Sequence, residues 1–311
     1  MSQYDVVGVG MATVDVLTVV PRLPKPDEVY RVVSTDLQGG GPVATALVAL
    51  ARLGAEVTYL GVVAPDDWGQ FMLADFRRYG VDTGLIVRAE AGASPLSAIL
   101  IEQATGSRAI LCDPGRLPEL PLSDAWRAAI RNARALHLDG WYLPLALEAA
   151  RAARDAGVLV SFDGSAGEPR PGVEALLELA DVLVVARKFA RNVTGLDDPL
   201  QAGPALRRFG AREVVITDAA AGCWLWEGDE FMHQPAFAVP VVDTTGAGDT
   251  FHGAYLYARL QGWPSRRRLE FASATAALKC TQLGGRRGIP SLAEVMAFLE
   301  RGLREGCGER G

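Results

Sequence analysis

Between Asp243 and Asp249 the chain reads DTTGAGD and then runs into TFHGAYLYARL. Gly246, Ala247 and Gly248 leave the backbone nearly bare where a helix is expected to begin. Such a turn presents unblocked N–H groups and the positive end of the helix dipole, a site for phosphate or another developing anion. Asp249 falls in the first helical turn, beside those amides. A carboxylate there can take a proton from an attacking hydroxyl while the Gly246, Ala247 and Gly248 amides hold the transferring phosphoryl group. A capping carboxylate is the simpler role, but a cap does not need Gly-Ala-Gly ahead of it.

Other phosphate chemistries fit less well. A Walker loop needs a lysine after its glycines, and none of Lys25, Lys188 and Lys279 follows a Gly-rich loop. GVGMAT at Gly8 lacks the third glycine and the distal acid of a dinucleotide fingerprint. A net charge of −6 and a pI near 5.3 carry no nucleic-acid footprint, and Arg266–Arg268 reads as a solvated helix start. Cys112, Cys223, Cys280 and Cys307 lack metal-ligand spacing. With no signal peptide ahead of Tyr4, they are read as reduced thiols of a cytoplasmic protein. No uncharged apolar stretch reaches the roughly 18 residues that a membrane span needs.

The elements that must hold the turn follow from hydrophobic periodicity. The chain has 311 residues, 49% of them apolar, enough for a substantial core. YDVVGVG is a buried strand feeding a loop, and GPVATALVALARLGAEVTYLG is a helix, a stop at Gly54 and a strand. The alternation returns in LEAARAARDAGVLVSFD, ALLELADVLVVA and ALRRFGAREVVITD. It predicts an α/β domain with a central, mostly parallel, doubly wound sheet between helical layers. Residues 16–37 and 94–113 break the rhythm with alternating apolar and polar positions, and ATGSR is a hairpin signal. Two inserted antiparallel strand pairs are expected there, as a small β-sheet lid on a single domain spanning residues 1–311.

DTTGAGDTFHGA resembles the C-terminal signature of the ribokinase-like (PfkB-type) carbohydrate kinases. GMATVD, GGGPVATALVALARLG, VVAPDDWG, VVITDAAAGC and AALKCTQLGGRRGIP resemble further motifs of that family, in the same order. The resemblance implies the ribokinase-like three-layer fold and transfer of the ATP γ-phosphoryl group to a sugar hydroxyl, with Mg²⁺. It makes Asp249 the general base and Gly246–Gly248 the anion hole. Asp15, Gly40, Gly41, Thr45 and Asp139 fall at acceptor-binding positions, and Thr217, Gly222, Ser273 and Ala277 at nucleotide-binding ones. Many members hold a monovalent cation beside the anion hole. Asp243 and Thr245 match those positions, which implies K⁺ as a further cofactor.

Three departures from the family pattern stand out. Thr45 replaces a sugar-contacting asparagine, Ala219 replaces a glycine of the nucleotide turn, and Ala186 and Phe189 fall where N-x-x-E helps to order phosphate and Mg²⁺. His252, one turn past Asp249, is read as a packing residue, His137 and His233 as structural, and Cys280 as a small buried hydrophobe. The motif details resemble most the branch with ketohexose and sulfofructose kinases. They imply a ketose or ketose-like acid as acceptor, with Arg31 and Arg108 available to an acidic end. A nucleoside kinase, or a catalytically weak sugar- or nucleotide-sensing protein, is the alternative. The expected partners are a small sugar, ATP and a second copy of the chain, paired through the lid; nucleic acid and membrane are not expected.

Overall fold

A computed structural model describes residues 4–104, 108–165 and 167–308, with side chains to residue 301. The main sheet contains β1 (Tyr4–Val9), β4 (Val57–Leu60), β9 (Ala133–Leu138), β10 (Leu159–Gly164), β11 (Val182–Ala186), β12 (Glu213–Thr217), β13 (Cys223–Glu227) and β14 (Glu230–Gln234). Their order is β14-β13-β12-β11-β10-β9-β1-β4, parallel from β12 to β4, with β13 and β14 added antiparallel at one edge. The parallel strands read as unbroken apolar runs because successive side chains enter different layers. Val6 and Val184 join the cluster under α1 (Pro42–Arg52), α8 (Ala247–Leu260) and α9 (Ser265–Lys279). Val7, Leu183 and Val185 join the one under α3 (Asp124–Arg131), α4 (Leu143–Asp155), α6 (Arg187–Thr194) and α7 (Pro199–Leu206). The remaining helices are α2 (Asp67–Arg78), the short α5 (Glu174–Leu177) and α10 (Leu292–Gly308). This is the three-layer α/β architecture.

A separate small sheet holds β2 (Thr13–Val20), β3 (Ser34–Gly40), β7 (Leu96–Glu102) and β8 (Arg108–Asp113), in the order β3-β2-β7-β8. β5 (Val62–Val63) and β6 (Val87–Arg88) form a short parallel pair of their own. The two expected strand pairs are not isolated. β2 and β7 pair in parallel, with Asp15 opposite Ser97, and the hairpin-like pairs become one mixed sheet. The reason is backbone satisfaction: two separate pairs would leave two more rows of N–H and C=O groups open. The strands also reach further than residues 16–37 suggested, since β2 starts at Thr13 and β3 ends at Gly40. Asp15 and Gly40 therefore lie on the small sheet itself. The ATGSR turn spans residues 104–108, of which 105–107 lie outside the described residues. One face of the sheet buries Leu17, Ile99 and Ile101, while Ile110 and Leu111 are exposed.

Candidate active site

Gly246 caps α8 with φ +73°, and a Cβ there would lie 2.8 Å from the Gly285 backbone, so glycine is required on both counts. Thr250 N–H makes the first helical bond, to Gly246 O (2.9 Å), while Ala247 N–H closes the turn onto Thr244 O (3.2 Å). Helix geometry leaves the Gly248 and Asp249 amides without an intrahelical acceptor. Of the amides expected in the anion hole, Ala247's is thus committed to the turn, and Asp249's own amide stands beside Gly248's. A Cβ on Gly248 would meet no atom within 4 Å, so the helix start opens onto free space.

Below the turn, Asp243 is fully buried. Its Oδ1 accepts from Thr245 N–H and Thr245 Oγ1 (2.8 Å each), and its Oδ2 from Gly284 N–H (2.8 Å). Its carbonyl oxygen accepts from the Lys279 ammonium at 2.8 Å. Arg108, on β8, donates to Thr244 Oγ1 (2.5 Å), so one of the two arginines proposed for an acidic acceptor braces the turn; the other, Arg31, lies exposed between β2 and β3.

Asp139 follows the carboxyl end of β9, where open α/β sheets bind ligands, and Asp15 of β2 and Asp249 of α8 approach closely enough for the charges of Asp15 and Asp139 to act on Asp249. Burial raises the Asp249 carboxyl to about 7, helped by the charges of Asp15 and Asp139 and opposed by Arg286 and Lys279. Burial likewise raises Asp15, whose Oδ1 accepts from Thr13 Oγ1 (2.8 Å), and a Cβ on Gly40 would sit 2.2 Å from its Oδ2. Gly41 caps α1 with φ +91°. Asp139 is raised to about 6 by burial. Its oxygens already accept from Met11 N–H (2.8 Å) and Trp141 N–H (2.9 Å), so it braces the β1–β2 connection as well as facing the cleft.

Thr45 is buried and faces Arg286 Nε at 3.4 Å. Arg286 is 1% exposed: it pairs with Asp75 of α2, donates to Gly40 O (2.9 Å) and lies over the Phe76 ring. Its own N–H, with that of Arg287, donates to Gln38 Oε1 (3.1 and 3.2 Å). The LGGRRG segment, part of the last of the family-like motifs, clamps β3. Sequence reasoning missed Arg286, because an arginine among glycines carries no sign that it is buried.

On the nucleotide side, Thr217 ends β12 half-buried, and Gly222 takes φ +90° against Gln234 O. Ala219 keeps a left-handed φ of +42°, a conformation that costs a side-chain-bearing residue roughly 1 kcal/mol. Ala277 is half-buried on α9. Ser273 is buried, with its hydroxyl 3.5 Å from Cys223 Sγ, and so turns toward β13. Cys280 is buried, and burial pushes its thiol up. Phe189 packs on Phe162 in the core and Ala186 caps α6, so the N-x-x-E positions offer no oxygen ligand.

A second cluster went unread in the sequence. His137, Asp163 and His252 are buried, and their ligand-type atoms lie within 4.8 Å of one another. His252 Nε2 is 3.2 Å from Asp163 Oδ1, which also accepts from Ser165 Oγ. Burial keeps both imidazoles neutral, His137 lowered to about 4 and His252 well below its usual value. Burial, then the charge of Asp249, holds Asp163 well above the carboxylate range. His233 stacks on Trp224 and contacts Ala221 O, away from this group.

The chain is similar to known proteins over nearly its whole length. The chain is 27% identical to mouse ketohexokinase over 90% of its length and 97% of that protein's. It is 32% identical to an ATP-dependent ribose-1-phosphate kinase of Halopiger xanaduensis, over 94% of this chain and 97% of the relative. Its structure resembles that of Arabidopsis thaliana ribokinase complexed with ribose and ATP, with a TM-score of 0.84 and 26% identity over 96% and 99% of the two chains. The pfkB family carbohydrate kinase pattern matches residues 3–292, and the chain belongs to that family: it is a sugar kinase.

Proposed function

We propose that this kinase transfers the γ-phosphoryl group of ATP to a primary hydroxyl of a ketose or ketose-like sugar acid. The observation that carries the reading is Asp249: a carboxyl at about 7, beside the Gly248 amide and in the field of Asp15 and Asp139. Ionised, it accepts the proton of the attacking hydroxyl; a base poised near the working pH is the most effective kind. The Gly248 and Asp249 amides and the α8 dipole stabilise charge on the transferring group. Asp15 accepts hydrogen bonds from the remaining hydroxyls, as an ionised carboxylate must. Thr45, turned to Arg286, supports that wall.

Nucleotide binds along Thr217, Gly222 and Ala277. Mg²⁺ keeps several waters and relies on substrate phosphates, which suits a chain whose 186 and 189 positions carry Ala and Phe. The small sheet acts as a lid, since it carries Asp15 on β2 and Arg108 on β8. Two copies pair through its outer face, where Leu37 and Leu111 are exposed and share a face in the register Leu37–Val16–Ala98–Leu111. Light scattering that reports a monomer at micromolar concentration would remove the pairing.

Two relatives, mouse ketohexokinase and maize fructokinase-1, the latter 28% identical, are named for ketose substrates and favour that acceptor class. ADP release measured across ketohexoses, ketose acids, ribose and nucleosides tests the assignment. Efficient phosphorylation of adenosine with no activity on any ketose would overturn it.

A further inference from the structure

The chain contains three lysines among 31 basic residues, and it places one of them, Lys279, at 0% exposure as the last residue of α9. Burying an ammonium costs several kcal/mol unless something close by offsets it. Its ammonium donates to the Asp243 carbonyl, 2.8 Å away, at the base of the turn that opens α8. The other Asp243 oxygens are taken by Thr245 and Gly284 donors. An exchangeable cation in this position would need those oxygens, and it would meet the Lys279 charge at close range, with Arg108 also near enough to act on Lys279. K⁺ therefore does not fit the Asp243–Thr245 site that the family pattern suggested.

We infer that the Lys279 ammonium is a cation built into the 243–249 turn, and that this kinase needs no exchangeable monovalent ion. A lysine suits the task better than an arginine, because an ammonium is a compact point charge and a guanidinium is a wide planar fork. Lys279 is a positioning residue. It ties α9 to Asp243, Asp243 ties Thr245 to Gly284, and the turn so fixed aims the Gly248 and Asp249 amides. Its charge also favours ionised Asp249. A purely structural residue here would be better apolar, since replacing buried charges by packed hydrophobic groups is often stabilising.

The inference rests on the 243–249 turn being the phosphoryl site, and two readouts separate its failure from a failure of the substrate assignment. Turnover and thermal melting are compared in K⁺ and in tetramethylammonium at equal ionic strength, for the wild type, Lys279→Ala and Lys279→Met. Melting needs no substrate. The wild type is expected to change by less than about twofold in rate and not at all in melting midpoint. Lys279→Ala opens a space of cation size. It is expected to lose on the order of 10²-fold in turnover in tetramethylammonium, the scale for losing one element of an anion hole. K⁺ should restore at least about a tenth of the wild-type rate and raise the melting midpoint, as a ligand specific for the folded state does. Lys279→Met fills the space and should be inactive in both salts. Strong K⁺ dependence of the wild type would overturn the inference, and that arm stands even if neither variant folds. So would wild-type turnover of Lys279→Met in tetramethylammonium, or a folded Lys279→Ala that K⁺ neither reactivates nor stabilises.

Discussion

On the acceptor side of the cleft, Asp15 accepts from Thr13, Arg286 spans Asp75, Thr45 and Gly40, and Gln38 holds the backbone of residues 286 and 287. Across the cleft, Gly248, the second residue of α8, lacks a side chain at a point where a Cβ would touch nothing. One wall is saturated with internal bonds and the other is left open. A saturated wall cannot rearrange without unpairing buried groups, which costs about 1–3 kcal/mol each and more for charged ones. The open wall keeps its unpaired donors for a charge that exists only during reaction. The difference separates residues that hold the substrate in place from those that act on it.

The largest expected effect breaks the open wall. Asp249→Asn should lower turnover about 10²–10⁴-fold with nucleotide affinity unchanged, as general-base loss does. A variant that keeps more than a tenth of the rate, with chemistry limiting, would exclude Asp249 as the base. In the wild type, kcat/KM should rise with pH through about 7, where Asp249 ionises. Stability should move the other way. The folded chain holds the Asp249 proton above the pH at which the unfolded chain releases it, roughly 4, so this stability is complete below that value and lost as pH rises toward about 7. Asn removes the effect, and melting curves at pH 5 and 8 should differ less in the variant.

Breaking the saturated wall should instead unfold the protein. Arg286→Met leaves Asp75 buried and unpaired, a loss of about 3–5 kcal/mol in urea titrations. A stability unchanged within about 1 kcal/mol would mean that the ion pair with Asp75 does not hold β3. Gly248→Ala sharpens the contrast, because alanine is favoured over glycine in a helix by about 1 kcal/mol. The melting midpoint should hold or rise while turnover falls at least about tenfold, through a methyl group standing where the phosphoryl group must approach. A fall in both would put Gly248 with the paired side. The smallest effect belongs to Asp15→Ala: a rise of roughly tenfold or more in KM for the sugar, the scale of one charged hydrogen bond, with KM for ATP nearly unchanged. Equal rises in both constants would show that Asp15 shapes the whole cleft.

The open wall was legible in the sequence because bareness is written in residue types: Gly-Ala-Gly between aspartates needs no distant partner to be recognised. The strand–helix alternation was legible for the same reason, as each βα unit carries its own periodicity and its own Gly54 or Gly157 stop. Arg286 and Lys279 were not, since their meaning lies in partners such as Gly40 and Asp243, far off in the chain. The parallel joining of β2 to β7 was hidden likewise: alternation marks a strand but not its neighbour. His137, Asp163 and His252 come from β9, β10 and α8, and only the stacking of α8 on the sheet makes them a group.

The clamp between β3 and the segment before α10 also orders events in time. Gly40 and Gln38 leave the ribosome early, while Arg286 emerges only when most of the chain has been made. Most of the main-sheet strands can pair while synthesis continues, as N-terminal parts of a chain generally fold first, but the acceptor wall stays unbraced until the last segments arrive. A nascent chain should therefore acquire its fold before it acquires its substrate. Protease sensitivity of β3 in ribosome-bound chains stalled on either side of Arg286 reads that order directly.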